Sequence, residues 1–208
     1  MTTPHDAPGV HSVIGVDAGT ASLREADHLI HHLVDRLGLP PGTIACTHLI
    51  RTDDRRGTAI SLALPGADAS EAAWQQLAGL DGPEGVGAAL GELRMGPTEA
   101  ARTAAQAAAE HAHRRSGRAV VYPGVENLTG TVTVTDLLAQ TAIDQLTVVG
   151  APPADGKGPD PATPVLTRDH VRPEWRDGQL TLALVPAAGG TLAPFEVPNP
   201  TPCCADHA

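Results

Sequence analysis

The sequence predicts an α/β protein of the α+β kind: a ferredoxin-like βαββαβ-type body with additional strands and a C-terminal β-meander. The first supporting observation is the order of hydrophobic patterns over residues 10–80, which reads β-α-β-β-α and would be completed by a fourth strand at Ala119. The second is the stretch 118–150, where short β-branched runs at 119–122, 131–134 and 146–149 are punctuated by Pro123, Gly124, Gly130 and Gly150. The third lies beyond the Pro/Gly-rich residues 151–164, where three short apolar runs alternate with turn signals.

Taken in order, residues 1–9 are polar and carry no packing pattern, and residues 10–16 form an apolar run suited to a strand. Ser22 and Glu25 make a capping box for a helix whose Leu23, Ala26, Leu29, Ile30, Leu33, Val34 and Leu37 repeat at helical spacing. Gly38 and the Pro40-Pro41-Gly42 turn stop it. Residues 43–51 and 58–64 are strands joined by a charged tip, with Ile44, Cys46, His48 and Ile50 on one face of the first. Asp68 or Ser70 caps a second helix carrying Ala73, Trp74, Leu77 and Leu80. Residues 81–96 are Gly-rich, with a helical turn expected near 86–93. Thr98 then caps an Ala-rich helix that runs to about Ser116 and ends at Gly117. Thr135 caps a short helix, and the meander takes residues 165–171, 179–185 and 191–196. The expected organisation is a lead-in at 1–9, a body at 10–150, a linker or loop at 151–164, the meander at 165–197 and a tail at 198–208.

Composition narrows the function. A net charge of -10 argues against nucleic acid, because phosphate contacts need clustered Lys and Arg. Lys157 is the single lysine, and Gly156-Lys157-Gly158 lacks the upstream spacing of a phosphate loop. No run approaches the roughly 18 apolar residues of a membrane span. No basic and apolar export signal is visible at the start, and the three cysteines form no disulfide framework. A cytoplasmic, bacterial protein is the expectation, the latter from the Ala-, Gly-, Pro- and Arg-rich, lysine-poor usage.

Chemistry-bearing residues fall into a few groups. Cys203, Cys204 and His207 put two thiolates and an imidazole within five residues, which suits a soft or borderline ion such as copper or zinc. The run from Arg168 to Asp177 is dense in acid/base and anion-binding groups. There His170 with Asp169 or Glu174 can move a proton, and Arg172 or Arg176 can clamp an anion. Trp175 in the same run offers an aromatic surface in a chain short of them. His28 and His32 stand one helical turn apart, but opposite the apolar stripe, where a solvated face is the simpler account. Cys46 and His48 share the inner face of their strand, as a buried thiol and a hydrogen-bonded imidazole, or as a nucleophile–base pair. Arg55 and Arg56 read as a solvated turn.

Residues Gly15 to Thr20 have a superficial similarity to the first phosphate loop of sugar kinases, but a capped helix follows here instead of that family's β-hairpin. The leading expectation is a non-catalytic protein that binds a ligand or partner, with the metal-holding tail. The alternatives are a small-molecule enzyme built around His170, and a homo-oligomeric assembly protein.

Overall fold

The computed structural model describes residues 13–52, 55–79, 85–150 and 158–198. The first half of the chain contributes β1 (Val13–Asp17), α1 (Leu23–Leu37), β2 (Ile44–Arg51), β3 (Arg56–Ala63), α2 (Ala67–Ala78), β4 (Gly87–Leu90), β5 (Leu93–Met95), α3 (Thr98–Ala112) and β6 (Arg118–Val121). The second half adds β7 (Thr131–Thr133), α4 (Val134–Gln140), β8 (Gln145–Val148), β9 (Pro164–Leu166), β10 (Glu174–Arg176), β11 (Gln179–Ala187) and β12 (Thr191–Pro194). The fold is a mixture of α and β with mostly antiparallel strand pairing and, among the described residues, four α-helices. Two compact units divide it: residues 1–123 with 174–180, and residues 124–173 with 181–208.

In the first unit the strand order is β5-β4-β1-β3-β2-β6-β10. Strand β1 lies antiparallel between β3 (Ile14 opposite Leu62) and β4 (Ile14 opposite Leu90). The place beside β1 that the sequence assigns to a strand at Ala119 is therefore taken by β4. The strand at Ala119, β6, pairs instead with β2, with a bulge between Ala45 and Cys46. Residues 86–93, expected as a helical turn, form the β4–β5 hairpin, in which Leu90 faces Leu93. The β4 sequence GAAL carries no β-branched residue, so propensity alone does not announce a strand.

The reason for those small residues is α3. Helices α1 and α2 cover one face of the sheet, burying Ile30, Leu33 and Trp74 against Ile14, Ile60 and Leu62. Helix α3 lies on the other face, where Val13, Ala63, Ala108 and Ala112 form one cluster and Ile50, Ala59 and Ala107 another. A Cβ at Gly15 would overlap the Ala104 carbonyl, and one at Gly87 would overlap the backbone at Ala100 and Ala101. The Ala-rich helix thus buries little area per side chain but approaches the strands at backbone distance, which gains dispersion contacts instead.

The helix ends follow partly from sequence. Ser22 Oγ accepts from the Glu25 amide at 3.2 Å, and Glu25 Oε2 accepts from the Ala21 amide at 2.8 Å. At the other end of α1, Gly38 (φ 55°) donates to the carbonyls of Asp35 and Val34. Neither expected residue caps α2: Gly66 holds the N-cap position, and the Ser70 hydroxyl donates back to its carbonyl at 3.2 Å. Helix α3 stops at Ala112, before Gly117, because Arg114 takes the left-handed conformation (φ 51°). Its amide donates to His111 O at 2.8 Å and that of Arg115 to Glu110 O at 3.0 Å.

In the second unit β8 pairs parallel with β11, β11 antiparallel with β12, β12 parallel with β9, and β9 antiparallel with β7. The expected three-stranded meander is therefore corrected. Its last two runs form a hairpin at residues 187–191, whereas its first shrinks to Pro164–Leu166 and pairs in parallel with β12. Thr133, at the end of β7, caps α4 by accepting from the Asp136 amide at 3.0 Å, so the helix begins before the expected cap Thr135.

Candidate functional site

The alternation along β2 points His48, Cys46 and Ile50 towards α3, and sends Leu49 and Arg51 to the opposite face. Two sites result, one sealed and one open, on the two sides of a single strand.

The sealed site is a chain of hydrogen bonds. Glu110 Oε2 lies 3.4 Å from His48 Nδ1, His48 Nε2 lies 2.7 Å from Ser61 Oγ, and Ser61 Oγ lies 2.7 Å from His111 Nδ1. Ser116 and Gln106 also donate to the Glu110 carboxylate, at 2.6 and 2.9 Å. These bonds, with the His48 contact foremost, hold the Glu110 carboxyl down at about 2. Ser61 and His111 are both fully buried (0 % exposed), and burial, reinforced by the nearby His48 and Arg114, pushes the His111 imidazole down to about 3. Serine, histidine and carboxylate here have the order of a nucleophile, its base and an orienting group. Yet Ser61 is closed in by α3, and no substrate carbonyl reaches it. Cys46 is also buried, and desolvation raises its thiol far above the physiological range, so it stays protonated and inert. His48 bonds Ser61 and Glu110, not Cys46.

An acid transition follows from those two shifts. His111 takes up protons more readily in the unfolded chain, so its contribution to stability is complete above pH 6.5 and is lost as pH falls from there towards 3. Glu110 adds a second loss as pH falls from 4.5 towards 2. Urea unfolding followed by the fluorescence of Trp74 and Trp175, both in the first unit, should show stability declining through this window. In His111→Leu the decline between pH 6.5 and 4.5 should flatten; an unchanged slope would refute the assignment to His111.

Further along the same face, Asp17 (1 % exposed) is fixed at the end of β1 by the Gly19 amide at 3.0 Å, by Thr103 Oγ1 and by Arg55. Arg55 is thus no solvated turn residue but the counter-ion of a buried carboxylate. This leaves Asp17 with structural partners and no free edge for a ligand. Trp175 is buried on β10, 6.0 Å from the His111 ring, and the Arg114 guanidinium sits 4.9 Å above it. That cation–π contact offsets part of the cost of the left-handed Arg114.

The open site is a groove of about 320 Å³ lined by Ala21, Leu23, Leu49, Ile50, Arg51, Arg56, Gly57 and Thr58. Arg51 and Arg56 are direct cross-strand partners on β2 and β3, and both are exposed. Neither forms an ion pair among the described residues. Like charges directly opposite each other destabilise a strand pair by roughly 0.2–1 kcal/mol. Beside them Leu49 is 66 % exposed, the largest exposure among the described large hydrophobic residues.

No known protein family, curated protein or solved structure matches this chain.

The remaining expected residues divide between the units. In the second, His170 Nε2 pairs with Glu196 Oε1 at 2.9 Å, while Asp169 Oδ1 accepts from the Gly130 amide at 3.0 Å. Arg172 Nη1 donates to the Val171 carbonyl at 3.2 Å. In the first, Glu174 and Arg176 pair with each other at 2.8 Å on the surface. His28, His31 and His32 are exposed on α1. Cys203, Cys204 and His207 lie outside the described residues, among which no group of three or more metal-ligating side chains occurs. No helix among the described residues is long and apolar enough to cross a membrane.

The groove has a signal in the sequence that the residue types alone do not announce. A strand ending in Leu49-Ile50-Arg51 and returning through Arg56-Gly57-Thr58 places two arginines and a leucine on one face by period two alone. The Ser61–His111 link had none, since the two residues are 50 positions apart on a strand and a helix.

Proposed function

We propose that this is a non-catalytic ligand-binding protein whose first unit takes a small amphipathic anion, of the medium-chain carboxylate type, in the groove between the start of α1 and the β2–β3 hairpin. The observation that carries the proposal is the Arg51–Arg56 pair: two cations held opposite each other beside an exposed leucine. An anion relieves their repulsion, and an apolar tail covers Leu23 and Leu49. The groove volume, about 320 Å³, suits a ligand at the small end of the roughly 300–1,000 Å³ range of ligand clefts. A chain with net charge -10 repels large polyanions while leaving this local cationic spot for a single carboxylate.

Calorimetric titration tests it. Decanoate should bind, inorganic phosphate should bind at least tenfold more weakly, and Arg51→Ala/Arg56→Ala should lose at least tenfold in decanoate affinity while its urea stability is not reduced, and rises by up to about 1 kcal/mol as the repulsion is relieved. Equal decanoate binding by the double variant would overturn the assignment.

The strand order β4-β1-β3-β2 supports a ferredoxin-like βαββαβ reading of this unit, extended by β5 at one side and β6 and β10 at the other. A second functional reading, acid/base chemistry at His170, is favoured by the Glu196 contact and by the consecutive left-handed Arg168 (φ 55°) and Asp169 (φ 52°), whose strain is of the kind stored at functional turns. The soft-metal site at Cys203, Cys204 and His207 is a separate proposal, tested by the copper and zinc content of the full chain against one lacking its last six residues.

A further inference from the structure

The first unit carries a second groove, of about 420 Å³, between the start of α2 and the β4–β5 hairpin. Ala67, Asp68, Glu71, Leu90, Glu92 and Leu93 line it. Leu90 and Leu93 are cross-strand partners and point to one side of the hairpin, where Leu90 joins the core cluster that holds Trp74 and Leu93 is left 48 % exposed. Asp68, Glu71 and Glu92 are exposed, and none forms an ion pair among the described residues. Arg94 alternates to the other side of β5, where its Nη1 donates to the Gly91 and Leu93 carbonyls at 2.6 and 2.7 Å.

Among the described residues of the first unit, Leu49 and Leu93 are the two large hydrophobic side chains left exposed. Each stands beside charges without an ion-pair partner, and the signs are opposite: Arg51 and Arg56 flank Leu49, whereas three carboxylates flank Leu93. Leu49 lies on the sheet face turned away from α3, and Leu93 lies on that same face. Strands β4, β1 and β3 separate β5 from β2. Four strand spacings amount to roughly 19 Å, so one molecule cannot bring the two patches together. A second copy can. Either patch set against itself would oppose like charges, whereas hairpin against groove pairs opposite charges and covers both leucines.

We propose that the acidic β4–β5 hairpin of one copy docks in the Arg51–Arg56 groove of a second copy, carboxylates on guanidiniums and Leu93 on Leu49. This rests on the reading of Arg51 and Arg56 as an anion-receiving pair, and it names a partner with the ligand's own chemistry, carboxylates beside an apolar group. A symmetric pair in which each hairpin enters the other's groove satisfies the contact, and so does a head-to-tail chain. The net charge of -10 makes the copies repel one another at a distance, so the contact is weak and reversible and forms at high concentration.

Sedimentation equilibrium of the full chain at up to about 1 mM tests the docking. The mass should rise above that of the monomer with concentration. Arg51→Glu/Arg56→Glu and Glu71→Arg/Glu92→Arg change exposed side chains only, and each should lose at least tenfold in self-association. The second variant lowers the net negative charge, so its loss cannot come from general repulsion between copies. An equimolar mixture of the two should regain the association, because the reversed groove then meets the reversed hairpin. A monomer at every concentration, undiminished association in either variant, or a mixture that stays monomeric would overturn the proposal. Decanoate separates it from the ligand reading. Protein that binds decanoate yet remains monomeric overturns the docking alone, and protein that associates without binding decanoate overturns the ligand alone.

Discussion

Gly15→Ala is expected to be among the most damaging single substitutions in the first unit. Its Cβ has no room, because the Ala104 carbonyl of α3 already occupies that position, and the overlap is with backbone, which cannot rotate away. Either α3 moves off the sheet or β1 bends, and the cost is expected at about 3 kcal/mol or more, the upper range for overpacked cores. The effect should appear as a lower urea midpoint reported by tryptophan fluorescence. Gly38→Ala is the control: its φ of 55° is unfavourable for alanine, but nothing lies within 4 Å. There only the backbone conformation is penalised, by roughly 1–2 kcal/mol. A Gly15→Ala loss no larger than that of Gly38→Ala would show that α3 does not rest on the strand backbone.

Asp27→Ala is expected to be of similar size for an electrostatic reason. Arg118 is 8 % exposed, and its guanidinium donates to both carboxylate oxygens of Asp27 in a two-pronged contact that joins α1 to β6. Removing the carboxylate takes away both contacts from a cation that stays buried. Breaking a buried pair from one side costs about 3–5 kcal/mol, whereas replacing both partners by apolar residues is often close to neutral. The double variant Asp27→Leu/Arg118→Met should therefore recover most of the stability lost in Asp27→Ala. A single-variant loss below about 1 kcal/mol would mean that solvent already screens the pair.

Local chemistry explains which parts of this fold are legible in the sequence. The capping box at Ser22 and Glu25 and the αL stop at Gly38 are contained within a few residues, and α1 has the bounds they imply. The inward face of β2 follows from period two, and Ile44, Cys46, His48 and Ile50 do share it. Where the expectations depart from the structure, a distant partner decides. Strand β4 consists of small residues because α3 lies against it, a tertiary cause that overrides β propensity. Helix α3 stops before Gly117 because Arg114, held by Trp175, accepts a conformation usually left to glycine. Of residues 165–171 only the start is strand: β9 pairs in parallel with β12 through Val165 opposite Leu192, and no turn signal encodes that pairing.

The chemistry divides along the same line. Residue types within one run, such as Arg168 to Asp177, invite a functional grouping, yet Trp175 is buried and Glu174 is paired with Arg176. The groups that do converge come from separate elements. Leu49 and Arg51 on β2, Arg56 on β3 and Leu23 on α1 share the groove. His48, Ser61 and Glu110 meet on the other side of the same strand.

The most direct test of the binding account is an amide and methyl NMR titration of the full chain with decanoate. The account predicts saturable shifts at Ala21, Leu23, Leu49, Gly57 and Thr58, with none on α3 beyond Ala107. Shifts absent from those residues at saturating decanoate, or confined to the second unit around His170 and Glu196, would contradict it.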